Sequence, residues 1–172
     1  MNIEAIAQNK LLILYLLKTI NIPLSELQIL RTVTENNWLN YFDLKECMFE
    51  LMESNLVEQR ETPSGNFYSV TELGKNTLFY LEKELLSSQR RAIDEYCDAN
   101  RDELRLETEL SAEYLKIDEG EYKVMLKVLE NSVPVFELNL ITYSQATAEA
   151  FIGKWKRVAP KIYRRTYDDL AE

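Results

Sequence analysis

Two sets of side chains have the types and spacing to meet a polyanion. Tyr41, Lys45, Arg60, Ser64 and Asn66 lie in the amino-terminal half, where hydroxyls, an amide and two cations can contact sugar-phosphate and base edges. Lys154, Arg157, Lys161, Arg164 and Arg165 lie near the carboxy terminus, in a stretch over 154–165 that holds six basic residues and no acid. Such a stretch can bind phosphate, face an acidic surface of the same or a neighbouring subunit, or form the solvated side of a helix whose apolar side is buried. Catalytic chemistry finds less to work with. The chain has no histidine, which removes Ser-His and Cys-His nucleophiles, imidazole acid–base steps and histidine metal ligation. Its four glycines, Gly65, Gly74, Gly120 and Gly153, are isolated, so neither a phosphate-cradling loop nor a dinucleotide fingerprint can be built. Cys47 and Cys97 each fall on an apolar helical stripe and form no CxxC pair, which reads as two reduced core thiols. Carboxylates are plentiful, but an acidic surface accounts for them. The expectation is no enzyme, no metal and no cofactor.

Charge bears directly on the polyanion reading. The net charge is −9, and both halves share it: seven Lys/Arg against twelve Asp/Glu over 1–86, thirteen against seventeen over 87–172. A DNA-binding module usually concentrates positive charge on one face even in an acidic protein, so distribution matters more than the total. The longest apolar run, LLILYLL over 11–17, is far too short to span a bilayer, and no cationic start with a cleavage site precedes it. A cytoplasmic globular protein is expected.

The elements that must position the first set lie over 44–78. An apolar-periodic helix is followed by a short strand, a turn with Pro63 and Gly65, and a second strand in which Tyr68 and Val70 alternate with Ser69. Thr71 is placed to cap a further helix, and Gly74 in its first turn lowers helix propensity, which marks a spot where another backbone passes too close for a Cβ. A helix, a two-stranded ribbon and a capped helix, in that order, form the end of a winged helix. The pattern of Tyr68, Val70, Thr71, Gly74 and Leu78 resembles the wing-to-helix junction of PadR-like and MarR-like winged-helix transcriptional regulators. Together with NKLLILYLL upstream and the segment through Asn40, Tyr41 and Phe42, nearly the whole chain also resembles a Firmicutes domain family of unknown function that opens with such a fold. The resemblance implies a winged helix-turn-helix and brings no catalytic or ligand residues with it.

Upstream, the pattern predicts a helix over 4–20 with Ile13, Leu16, Leu17 and Ile20 in the core, a break at Pro23, and a second helix opened by a Ser25/Gln28 capping box. An extended piece over 38–42 is expected to supply the third strand of the wing sheet. Asp43 with Glu46 is read as the capping box of the third helix, the recognition helix of the scheme. Leu44, Cys47, Met48, Leu51 and Met52 fall on its inner arc and Glu46, Glu50 and Glu53 on the outer one, with Lys45 and Phe49 at the edge. An acidic outer arc repels phosphate and weighs against base readout along the whole helix. The capped helix after the wing is expected to run from 71 to about 86.

A second domain is expected over 87–172. Ile93, Tyr96, Cys97 and Leu104 make a narrow helical stripe, and from Leu104 to Tyr114 the period changes to two, as a half-buried strand requires. Asp118, Glu119 and Gly120 suit a hairpin loop with left-handed glycine, a strand with Tyr122, Val124, Leu126 and Val128 follows, and Phe136, Leu138 and Leu140 mark a third. Met125, Leu129, Val135 and Ile141 on the opposite face suggest a surface for self-association. The last helix is capped by Ser144, runs toward Leu170 with an interruption at Pro160, and turns Phe151, Trp155, Val158, Ala159 and Ile162 inward.

The sequence therefore predicts an α+β protein: a winged-helix domain over 1–86 and an α-β-β-β-α domain over 87–172 for dimerisation or sensing. The expected role is transcriptional regulation by a homodimer on double-stranded DNA. The alternatives are a protein-interaction module that kept the fold without DNA binding, and a small-molecule sensor.

Overall fold

The computed structural model describes residues 3–62, 65–130 and 133–171. They form an α+β protein with two antiparallel three-stranded sheets, and the chain divides into two compact units, 1–104 and 105–172.

The first unit is built around α1 (Ile3–Ile20), in which every residue from Leu11 to Leu17 is buried. A helix that is apolar around its circumference must be covered on all sides. A short strand β1 (Leu24–Ser25) follows, then α2 (Glu26–Glu35), α3 (Tyr41–Glu53), β2 (Val57–Thr62), β3 (Gly65–Val70), α4 (Glu72–Leu81) and a single 3₁₀ turn (Glu82–Glu84). Their inward residues, among them Ile29, Val33, Leu44, Leu51, Val57, Tyr68, Leu78 and Leu85, share one core with α1. The remaining cover is α5 (Ser87–Glu109), through Ile93, Cys97 and Leu104. Polar contacts tie it down. Tyr15 donates to Asp94 at 2.9 Å, and burial together with that carboxylate pushes the phenol up to about 12. The Arg101 guanidinium donates to the carbonyls of Thr19 and Ile20, both at 3.1 Å, satisfying acceptors that the end of α1 leaves open. The Gln28 amide donates to the Leu104 carbonyl at 3.0 Å.

Several local expectations hold. The Ser25/Gln28 capping box is present in both directions at 3.2 and 3.0 Å. Thr71 caps α4 by accepting from the Gly74 N–H at 2.9 Å, and a Cβ built on Gly74 would lie 2.1 Å from the Leu56 carbonyl oxygen. The differences are informative. The third strand beside the β2–β3 ribbon is β1, with Leu24 opposite Tyr68 and Ser25 opposite Phe67, not the segment over 38–42. Tyr41 and Phe42 instead open α3, because the cap is Asn40: its Oδ1 accepts from the Asp43 N–H and its Nδ2 donates to the Asp43 carboxylate, both at 2.9 Å. α4 stops at Leu81 and not near 86. Residues 104–109 are helical rather than extended, since the Ile93/Cys97/Leu104 stripe continues one helix whose last buried residue belongs to the first core. The division accordingly falls at 104/105 and not at 86/87.

The second unit is a meander of β4 (Leu110–Asp118), β5 (Glu121–Glu130) and β6 (Val133–Thr142), in the order β4-β5-β6, covered on one face by α6 (Gln145–Ala171). Gly120 is left-handed, φ 76°, in the turn between β4 and β5. Val124, Leu126 and Val128 meet Ala148, Trp155 and Ala159, and the Trp155 indole donates to the Lys127 carbonyl at 3.1 Å, beside a register shift between Val128 and Leu129. Ser144 caps α6 by accepting from the Thr147 N–H at 3.2 Å. Pro160 does not interrupt α6, which is one helix from end to end. Trp155 and Ala159 before the proline and Ile162 after it all pack on the sheet, which holds both halves in line.

Gly74→Ala should destabilise the protein by roughly 1–3 kcal/mol or more, because a buried backbone oxygen must move to admit the methyl group. Chemical denaturation measures this. An unchanged midpoint would mean that the Leu56 carbonyl does not sit against α4.

Candidate nucleic-acid interface

α3 turns Leu44, Cys47, Met48 and Leu51 inward, which leaves Phe42, Lys45, Glu46, Phe49 and Glu53 exposed. Two of the charges near this face are already engaged. Lys45 donates to the Glu26 carboxylate of α2, and that hydrogen bond raises the ammonium's pKa. Glu50 accepts from Lys10 of α1 at 2.7 Å. Among the described residues Glu46 and Glu53 on the outer arc, and Asp43 in the first turn, make no ion pair. The first turn is capped by Asn40 and carries the Asp43 carboxylate, which offsets the positive end of the helix dipole beside Tyr41 and Phe42, whose rings meet edge to face at 5.5 Å. Between α2, α3 and β3 lies an apolar groove of about 140 Å³ bounded by Ile29, Met48, Phe49, Met52 and Tyr68, with the Lys45–Glu26 pair at its rim. Burial raises the Tyr68 phenol, with the Glu26 charge adding to it.

The ribbon supplies the second part. Arg60 lies opposite Phe67, Glu61 opposite Asn66 and Thr62 opposite Gly65, and the Thr62 hydroxyl donates to the Gly65 carbonyl at 2.9 Å. Arg60 and Asn66 are exposed, and Arg60 makes no ion pair among the described residues. Ser64, the remaining sequence-predicted contact, lies outside the described residues. Tyr41 and Lys45 thus share the first two turns of α3, and Arg60 and Asn66 share the end of the ribbon.

On α6 of the second unit, Lys154, Arg157, Lys161, Arg164 and Arg165 are all exposed. Arg164 and Arg165 are directed to Asp168 and Asp169 at 4.0 and 3.6 Å, each one turn further along, and Lys156 meets Glu107 at 3.5 Å. Lys154, Arg157 and Lys161 make no ion pair among the described residues, so they are the net positive charge of this face.

Sequence reasoning undervalued the aromatics. Phe42 and Phe49 are 79% and 60% exposed on α3, and Leu27 is 70% exposed on α2. Their signal was present: Phe42 and Phe49 are seven residues apart, opposite the Leu44/Met48/Leu51 stripe. Among the described residues no three His, Cys, Asp or Glu side chains are grouped to hold a metal ion, and no helix is long and apolar enough to cross a membrane.

This architecture defines an α+β chain that presents a capped helix and a ribbon from one unit and a basic helix face from the other. The chain belongs to the family described as a domain of unknown function, DUF4364, whose model matches residues 9–170 and hence both units. No curated protein and no solved structure matches it.

Burial drives both thiols up, Cys47 on α3 to about 11 and Cys97 on α5 to about 12. Because the folded state holds these protons more tightly than the unfolded chain, stability is full below the ordinary thiol value of 9.0 and falls as pH rises through it. In native protein near neutral pH both thiols should resist a thiol-specific reagent by about 100-fold or more relative to the unfolded chain. Fast stoichiometric labelling without unfolding would contradict their burial.

Proposed function

We propose that this chain is a non-enzymatic, cytoplasmic transcriptional regulator whose first unit is a winged helix and binds double-stranded DNA, and that it acts as a homodimer. One observation carries the reading. The order helix, short strand, helix, helix, two-stranded ribbon, helix, with sheet order β1-β3-β2, leaves one face of α3 exposed and leaves Arg60 and Asn66 exposed on the ribbon. A winged helix uses those two elements, a recognition helix in the major groove and a wing on the backbone or minor groove.

The charges refine how such a contact works. Phosphate repels Glu46, Glu53 and Asp43, so the contacts from α3 are limited to the Asn40 and Tyr41 side chains at its start, while Arg60 and Asn66 hold the backbone from the ribbon. Lys45 contributes as a rim charge shared with Glu26, not as a free cation. Lys154, Arg157 and Lys161 offer further phosphate contacts.

A second reading has its own observation. Phe42 and Phe49, exposed among carboxylates, fit a protein partner with an apolar surface edged by basic residues. The two readings separate in one titration. Arg60→Ala should weaken binding to every duplex, promoter or random, and reduce the salt slope of log K by about one. Fluorescence anisotropy with labelled duplexes at several salt concentrations measures both. Duplex binding unchanged by Arg60→Ala would remove the ribbon from the interface, and no binding by the wild type even at low salt would leave the protein-partner reading.

A further inference from the structure

The two edges of the second unit's sheet differ in charge and in register. β4, at one side of the sheet, carries Glu113, Lys116 and Asp118 and loses register between Lys116 and Asp118, features that discourage further pairing. β6, at the other, is ten residues long and pairs only with β5 among the described residues. Beyond Pro134, the stretch over 135–142 contains a single charge, Glu137. Val135, Leu140 and Ile141 on this strand are 41%, 38% and 48% exposed.

Alongside that edge, between β6 and α6, runs an apolar groove of about 220 Å³ lined by Leu138, Leu140, Phe151, Val158 and Ile162, with Lys154 at its margin. Edge and groove adjoin. A single neighbour that adds a strand to β6 would satisfy the free backbone groups and place apolar side chains over the groove in the same step.

We propose that the neighbour is a second copy of this chain, joined through antiparallel pairing of β6 with β6 into a continuous six-stranded sheet. The strand's own residues select this occupant. With the two-fold axis at Leu138, Leu138 meets the partner's Leu138, and Phe136 meets the partner's Leu140 on the groove side. Val135 then meets the partner's Ile141, and the lone carboxylate of Glu137 meets the partner's Asn139 instead of a like charge. Asn139 already donates to Glu137 at 2.9 Å within one copy, so the pair is matched chemically before association. Cross-strand apolar pairs stabilise a sheet and opposed like charges weaken it, and this register has the first without the second. Such an interface is isologous and closes at two copies. It supplies the homodimer of the proposed regulator and rests on that reading only for its use, since pairing requires no DNA.

Light scattering of the purified full chain without DNA should give twice the 20.2 kDa chain mass. Leu140→Lys should halve that mass while the circular dichroism stays native. Ile141→Lys, on the solvent side of the same strand, should act in the same sense and guards against a folding defect in the first variant. Leu138→Cys should form a disulfide-linked dimer under mild oxidation, because residue 138 faces its own counterpart and the native thiols are buried. A monomeric wild type would overturn the proposal. So would a dimer that survives both lysine variants and dissociates instead on Phe79→Lys, a substitution of a 74%-exposed residue on α4. Failure of DNA binding alongside a β6-dependent dimer would count against the regulator and leave this interface standing.

Discussion

The structure depends on covering α1 from every side. Its apolar residues from Leu11 to Leu17 occupy the whole circumference, so no arrangement that packs it against a single layer can bury it. α2, α3, α4 and β3 take part of that surface, and α5 takes the rest. The Tyr15–Asp94 and Arg101–Ile20 bonds fix α5 where the apolar contacts need it, and burial penalises any opening that would leave the phenol or the end of α1 without partners. The inner face of α3 is set by the same demand. Once Leu44, Cys47 and Leu51 are spent on α1 and its neighbours, the outer arc is whatever the sequence leaves.

What it leaves is mixed, and the intramolecular pairs decide how it reads to a partner. A count of charges along α3 gives an acidic helix. In three dimensions Lys10 answers Glu50 and Glu26 engages Lys45, so repulsion concentrates at Glu46, at Glu53 and, in the first turn, at Asp43, whose carboxylate offsets the positive end of the helix dipole. The second unit shows the same local cancellation. Its last turns carry Asp168 and Asp169 beside Arg164 and Arg165, which narrows the usable cations to the middle of α6.

Local chemistry was the legible part of the sequence. The Ser25/Gln28 box, the Thr71 cap, the close approach at Gly74, the left-handed Gly120 and the period-two strands of the second sheet each depend on residues within a few positions of one another. Long-range competition was not legible. Leu104, Leu106 and Thr108 fit a strand by alternation and a helix by continuation, and only the burial of Leu104 against a core some eighty residues earlier in the chain decides between them. The third strand of the ribbon sheet was misplaced for a related reason, since two residues at β1 carry no periodic signal and their partner, β3, lies over forty residues away. At the site, Tyr41, Lys45, Arg60 and Asn66 could be named from type and position, but the Glu26 contact that occupies Lys45 comes from another helix and has no sequence signature.

The proposed role requires that two copies of this chain read a duplex together. The decisive experiment is selection of bound duplexes from a randomised pool by the purified wild-type protein. A regulator of this kind should enrich a roughly palindromic sequence whose half-sites are about 10 base pairs apart, or a multiple of that spacing, as two recognition helices on one face of DNA require. A pool that emerges without any enriched sequence would contradict it and turn attention to the exposed Phe42 and Phe49 as a protein-binding surface.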